Sequence, residues 1–213
     1  MGHRFLELAT SPAARAAQTA QGSRASYARM EGGEPIFDRI GPREAAFIAA
    51  RDSFYLASVN PDGWPYVQHR GGPPGFLKVL NDRQLGFADL AGNKQYLTVG
   101  NISTEDRVAL FLMDYPNRKR LKLLGRMRPV DLAEDPATAD ELAVPGYPAR
   151  VERALVIAVE AIDWNCPQHI TPRFTEAELA QQLEPIRIRM NELVGENDAL
   201  RARLAQYEPE SSQ

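Results

Sequence analysis

The sequence predicts a mainly β fold in which an antiparallel sheet closes into a small barrel and carries helical appendages. Three observations predict it. From Phe54 to Trp164 about six short runs of strand character follow one another. Most are joined by tight turns built from Gly, Pro, Asn and Asp, the residues that turn geometry favours. On either side of this region the apolar residues return at helical spacing instead. Closure follows because a barrel removes the unpaired edges that such a sheet would otherwise expose.

Taken in order, Ser11 followed by Pro12 reads as a helix N-cap with proline in the first turn, and an Ala-rich stretch continues to Gln21 before Gly22 stops it. A second helix is expected between Gly41 and Arg51, opened by Pro42, with Ala46, Phe47 and Ala50 as its apolar stripe. Residues 54–60 and 64–70 form a hairpin about the turn Pro61-Asp62-Gly63. Residues 76–80 and 85–90 pair about Asn81-Asp82, and residues 108–115 and 120–130 pair about Pro116-Asn117. Residues 151–164 make a last, long strand. Two helical inserts are expected, one opening near Asn93 and one between Pro136 and Val144. In the tail, Thr175 and Glu178 form a capping box, and Pro185 is expected to bend or restart the helix.

The tail places Leu179, Leu183, Ile186, Met190, Leu193, Leu200, Leu204 and Tyr207 at alternating steps of four and three, a heptad seam with Asn197 as its one polar member. Such a stripe suits a parallel pair of tail helices near a two-fold axis, or an amphipathic helix lying on its own barrel; the sequence leaves both open. The expected organisation is a helical segment over 1–36, a barrel over 37–174, a tail helix over 175–207 and a disordered end over 208–213.

Composition narrows the function. With 213 residues, 44% hydrophobic and 25% charged, the chain can bury one good core. The net charge is −3 and its basic residues are scattered, so nucleic acid is not an expected partner. Cys166 is the only cysteine, which rules out an intrachain disulfide and any site of several thiolates. The histidines lack a metal-ligand spacing, so no metal is expected. No apolar run approaches a membrane span and residues 1–8 lack a signal-peptide core, which makes a cytoplasmic location the expectation.

Four stretches could carry chemistry. Gln68-His69-Arg70-Gly71-Gly72 brings a guanidinium to a strand end beside a Gly- and Pro-rich loop, a place that suits an anion or merely a turn. Gly92-Asn93-Lys94 offers an N-cap, helix N–H groups and an ammonium, fit for a phosphate or for nothing beyond capping. Arg120 and Lys122 share one strand face, where they would hold an anion or form a solvated edge. From Trp164 to Phe174, prolines at 167 and 172 would stiffen an extended segment displaying Gln168, His169 and Arg173, unless the segment is a connector anchored by Trp164.

In this order the stretches, together with Phe87-Ala88-Asp89, Asn101-Ile102 and Leu121 to Gly125, resemble the pyridoxamine 5'-phosphate oxidase-like flavoproteins, in the branch that binds flavin nucleotides and has no assigned substrate. The likeness covers residues 37–174, with Gly22-Ser23-Arg24 and the tail helix also similar. It implies an FMN-binding split barrel, working as a homodimer with two flavin sites across the subunit interface. His69, Arg70 and Gly71 would border the flavin, Asn93 and Lys94 would take its phosphate, and Arg120 and Lys122 would add anchoring. Trp164, Gln168, His169 and Arg173 would come from the partner subunit. The implied activity is FMN-dependent oxidoreduction of a small molecule, with no catalytic side chain identified. A non-catalytic flavin-binding or sensing module, or a barrel using haem or a deazaflavin, is the alternative. The Arg-x-His arrangement that holds substrate phosphate in true pyridoxamine phosphate oxidases is missing, and this counts against vitamin B6 oxidation.

Overall fold

Alternating burial along the strands builds the core. The computed structural model describes residues 2–92, 94–131, 133–164 and 167–206. It divides into two compact units, Met1–Ile170 and Thr171–Gln213. Tyr207 and the end expected to be disordered lie outside the described residues.

The first unit opens with β1 (Gly2–His3), α1 (Arg4–Ala9), α2 (Pro12–Ala20), α3 (Arg24–Ala28) and β2 (Pro35–Ile36). Ser11 caps α2 as expected, accepting from Ala14 N at 3.1 Å. The other four elements are too short for a sequence period to reveal. Contacts hold them instead: β1 pairs in parallel with β2, and Arg24 grips Glu31 through Nη1 at 2.8 Å and Nη2 at 2.5 Å. That grip holds the Glu31 carboxyl below the usual carboxylate range. Next comes α4 (Pro42–Ala49), opened by Pro42. It buries Phe47 and Ile48, with Ala45 partly covered, whereas Ala46 and Ala50 of the expected stripe are exposed. Phe47 and Ile48 are the bulkier anchors, and they set the helix rotation.

The sheet follows: β3 (Ser53–Val59), β4 (Pro65–Gly71), β5 (Lys78–Asn81), β6 (Gln84–Leu90), then α5 (Leu97–Ile102), β7 (Arg107–Asp114), β8 (Lys119–Val130), α6 (Pro136–Glu141) and β9 (Val151–Trp164). The expected hairpins all form and every pairing within the sheet is antiparallel. Seven strands, the six short runs and the long last one that the sequence marks out, run in the order β4-β3-β7-β8-β9-β6-β5. The fold is therefore mainly β with helical appendages. In a flat sheet β3 and β6, four steps apart, would lie about 19 Å from each other. The Phe54 and Phe87 rings instead meet at 5.3 Å, so the sheet rolls up. Its end strands β4 and β5 are not hydrogen-bonded to each other, which leaves the roll open along one seam.

Inside the roll, Leu56, Leu110, Leu112, Leu121, Leu123 and Ile157 are each at most 1% exposed. A second cluster, Val130, Leu142, Ala154 and Val156, covers the other side of β9, which explains why residues 154–157 are buried without alternation. The helix expected near Asn93 begins only at Leu97, because Lys94 and Tyr96 adopt left-handed φ angles of 57° and 52° that no α-helix contains.

The second unit is dominated by α7 (Glu176–Ala205). Its capping box forms, with Thr175 N donating to Glu178 Oε2 at 2.8 Å and Glu178 N to Thr175 Oγ1 at 3.2 Å. The helix passes Pro185 without restarting. Strong helix formers on both sides of the proline, Ala, Gln, Leu, Glu and Arg, offset the lost hydrogen bond. None of its residues is buried.

Two glycines test the packing of the roll. At the β8 bulge, a Cβ on Gly125 would overlap the backbone oxygen of Ala158, whereas on Gly86 it would meet side-chain atoms of Leu142 at 2.8 Å. Urea unfolding of Gly125→Ala is expected to show a loss of about 1–3 kcal/mol, with Gly86→Ala losing less, since backbone yields less readily than a side chain.

Candidate functional site

Inward-facing residues of β4 start the site. Along β4 burial alternates, so Tyr66, Gln68 and Arg70 face inward while Val67, His69 and Gly71 face out. The short helix α5 is pinned across this inner face by two polar contacts. Asn101 Nδ2 donates to Ser58 Oγ at 2.9 Å, and Thr98 Oγ1 donates to Gln68 Oε1 at 2.8 Å. The loop ahead of α5 is thereby held beside β4, and a cleft of about 160 Å³ opens between them. Gln68, Arg70, Asp89, Lys94, Tyr96 and Glu152 are among the residues that line it.

Charge in the cleft is organised around Asp89, which is 5% exposed. Arg70 Nη1 donates to its Oδ1 at 2.5 Å, and Arg153, its register partner on β9, approaches Oδ2 at 3.5 Å. Glu152 takes the next layer: it accepts from the Tyr96 hydroxyl at 3.2 Å and pairs with Arg150 at 3.3 Å. Two cationic groups keep free capacity. Arg70 Nε is buried with no hydrogen-bond partner among the described residues, and Lys94, exposed in the loop, has no acidic partner among them. An anion entering the cleft would meet the Arg70 and Lys94 side chains that line it.

A second cleft of about 180 Å³ lies in the open seam, where residues 68–71 face Phe76, Phe87, Ala88 and Leu90. At Gly71 a Cβ would come within 3.1 Å of His69 Cε1, a contact that a small shift of the exposed imidazole relieves. The two clefts share Gln68, Arg70 and Leu90, so an elongated ligand could occupy both.

The structure thus brings together Arg70, Lys94, Gly71 and His69 of the residues singled out from sequence. Asn93 lies outside the described residues, as does Cys166. Arg120 and Lys122 do share a face, but it is the outer one, where cross-strand partners run in a row His69, Tyr55, Phe111, Lys122, Asp163. There Lys122 is committed: its Nζ sits 2.5 Å from Asp163, which also takes His3 Nε2 at 3.4 Å, and the Phe5 ring lies over it at 4.8 Å. Arg120 lies over Phe111 at 5.5 Å. Lys122 therefore already has an ion-pair partner, and the N-terminal segment supplies Phe5 and His3 to the same spot.

Trp164 is likewise used by its own chain. Its Nε1 donates to Glu44 at 2.7 Å, its ring meets Phe47 edge-on, and Arg43 covers it at 4.1 Å. These contacts anchor Trp164 against α4. Gln168 and His169 are exposed and form a turn in which His169 has φ 62°, so the segment is not the uniform extended strap expected. Arg173 belongs to the second unit. Tyr66, Tyr96, Thr98 and Glu152 were not foreseen. Asp89 was quoted only as part of a motif, although a carboxylate at the strand parity of Leu85 and Phe87 already implies a buried partner.

Among the described residues no group of three or more His, Cys, Asp or Glu is placed to hold a metal ion, and no helix is long and apolar enough to cross a membrane.

Comparison with known proteins gives one family. The family model described as pyridoxamine 5'-phosphate oxidase matches residues 40–162, more than half of the chain. No curated protein matches. Among solved structures, a putative pyridoxamine 5'-phosphate oxidase from Lactobacillus delbrueckii is 20% identical over 59% of this chain and 94% of its own, with a TM-score of 0.45. An FMN-binding protein from Syntrophomonas wolfei is 12% identical over 70% and 97%, with a TM-score of 0.44. An FAD-binding protein from Mesorhizobium loti is 17% identical over 59% and 94%, with a TM-score of 0.41. Similarities this distant have no bearing on cofactor or activity.

The Asp89 cluster makes its own prediction. Asp89→Ala leaves two guanidinium groups facing each other and is expected to cost about 3–5 kcal/mol in chemical denaturation. Replacing Arg70 and Asp89 together by Leu should cost clearly less; an equal or greater loss would show that the pair is not what the site depends on.

Proposed function

The chain belongs to the pyridoxamine 5'-phosphate oxidase family, and on that premise we propose that it is an oxidoreductase that binds FMN in the joined clefts beside β4. The observation carrying this reading is that two cationic side chains, Arg70 and Lys94, line one cleft, and Lys94 has no acidic partner among the described residues. A phosphate monoester is the ligand group that such a pair fits: one directional guanidinium donor, already aimed by Asp89, and one mobile ammonium. Bound flavin would supply the electron and hydride transfer, which the side chains here are not equipped to perform.

The chain's own residues would bind and orient. Gln68 has its carbonyl occupied by Thr98, so its N–H groups remain to donate to a ring edge. Phe76, Phe87 and Leu90 offer an apolar ledge along the seam, and Gly71 keeps the His69 ring at its border. Asn93, next to Lys94, would add a donor to the phosphate. Trp164 and Lys122 are left out of this assignment because their polar atoms are engaged within the chain.

A homodimer completes the proposal. Each cleft falls below the roughly 300 Å³ at which small-molecule sites begin, as half of a shared pocket would. Over β3 and β4 the outer sheet face exposes apolar side chains, with Tyr55 40%, Val59 37%, Val67 61% and the neighbouring Trp64 74% exposed. A second copy seated on this face would bring Gln168, His169 and Arg173 as the remaining ligand contacts.

Lys94→Ala is expected to weaken FMN binding by about 1.5–3 kcal/mol, roughly 10- to 150-fold, and riboflavin binding hardly at all, since an ammonium acts on the phosphate. Equal losses in a fluorescence titration would remove Lys94 from the phosphate site, and a purified protein with a haem spectrum would overturn the flavin assignment. Mixing Lys94→Ala subunits with Arg173→Ala subunits should restore about one good site per heterodimer. Mixed dimers that regain no flavin would place the whole site in one chain.

A further inference from the structure

We propose that the α7 helices of two copies pair in parallel and in register as a two-stranded coiled coil. The starting point is a helix with an unpartnered seam. At 30 residues α7 is about 45 Å long, none of its residues is buried, and its apolar stripe is wet: Met190 is 59% exposed, Leu200 54% and Leu204 63%. Helices of ordinary sequence owe their stability chiefly to an apolar face that packs on something, and α7 carries Pro185 and Gly195 besides. Its stripe has the coiled-coil period, with Ile186, Leu193 and Leu200 at d and Leu183, Met190 and Leu204 at a. Pro185 falls at c, away from the seam.

Two features select the occupant and the orientation. Asn197 is the polar member at a. In a parallel, in-register pair it meets the second copy's Asn197, and each carboxamide can donate to the other. A shift by one heptad, or an antiparallel arrangement, sets it against Met190, Leu204 or a d-position Ile or Leu, leaving a buried amide unsatisfied. Charge makes the same choice. Glu196 is at g and Arg201 at the following e, the two positions that face each other between parallel helices, and symmetry repeats the pair. Within one chain Glu196 reaches only Arg189, at 3.5 Å, and Arg201 makes no ion pair among the described residues. Antiparallel pairing centred on Val194 would instead oppose Arg187 and Arg201, like charges.

The inference does not depend on flavin, and its test reads geometry alone. The full chain, in a Cys166→Ser background, receives Asn197→Cys at the seam or Ile188→Cys at f, on the far side of the helix. Only a position on the seam brings its Cα to within the 4.4–6.8 Å that a disulfide requires, so mild oxidation should cross-link Asn197→Cys at least about tenfold faster. Equal rates, or no cross-link at 197, would overturn the proposal. As a second arm, Glu196→Arg and Arg201→Glu should each slow cross-linking through position 197, and combining them should restore it. A double variant that stays slow would overturn the parallel register.

Discussion

Phe54, Phe76 and Phe87 meet at a seam that no hydrogen bond between the end strands closes: Phe54 stacks on Phe76 at 5.7 Å and takes the edge of Phe87 at 5.3 Å. Beside them Arg70 reaches from the first strand of the sheet order to Asp89 on the sixth. Side chains, not backbone, therefore hold the roll shut. Aromatic burial supplies most of the attraction, and the ion pair fixes which inward residues of β4 face which of β6. A gap between strands that never pair is what leaves room for a ligand, so the closure of the barrel and the existence of the clefts have one cause.

Sequence pattern revealed the sheet because its information is local. The β9 boundaries were legible at both ends, since residues 151–164 contain neither Gly nor Pro, and the turns at 61–63, 81–82 and 116–117 declared themselves through Asp, Asn, Gly and Pro. What stayed hidden was set by distant contacts. The two-residue β1 exists because His3 reaches Asp163, and α3 is followed by Glu31 in the grip of Arg24. The late start of α5 was equally illegible, for left-handed backbone at a lysine and a tyrosine has no compositional signature.

The site divided along the same line. Arg70 and Lys94, which line one cleft, stood out as candidates in the sequence because cations beside glycine-rich strand ends commonly serve anions. The partners of Lys122 and Trp164, Asp163 and Glu44, stayed hidden because they are far along the chain and nothing near 122 or 164 announces them. Strand parity put Arg120 and Lys122 on one face correctly, but parity says nothing about whether the chain's own N-terminus meets that face.

The pinning of α5 bears on the entropy of recognition. Six residues cannot sustain a helix in water, so α5 is ordered by its contacts with the barrel, the core packing of Ile102 and the hydrogen bonds to Ser58 and Gln68, and the loop bearing Lys94 is tethered to it. Restriction of the backbone near the cation is thus settled when the barrel folds, before any ligand arrives, and what binding must still immobilise is the lysine side chain alone. If the proposed anion binds there, the neutral residues Ser58, Thr98 and Asn101 would in this sense help determine how tightly it is held.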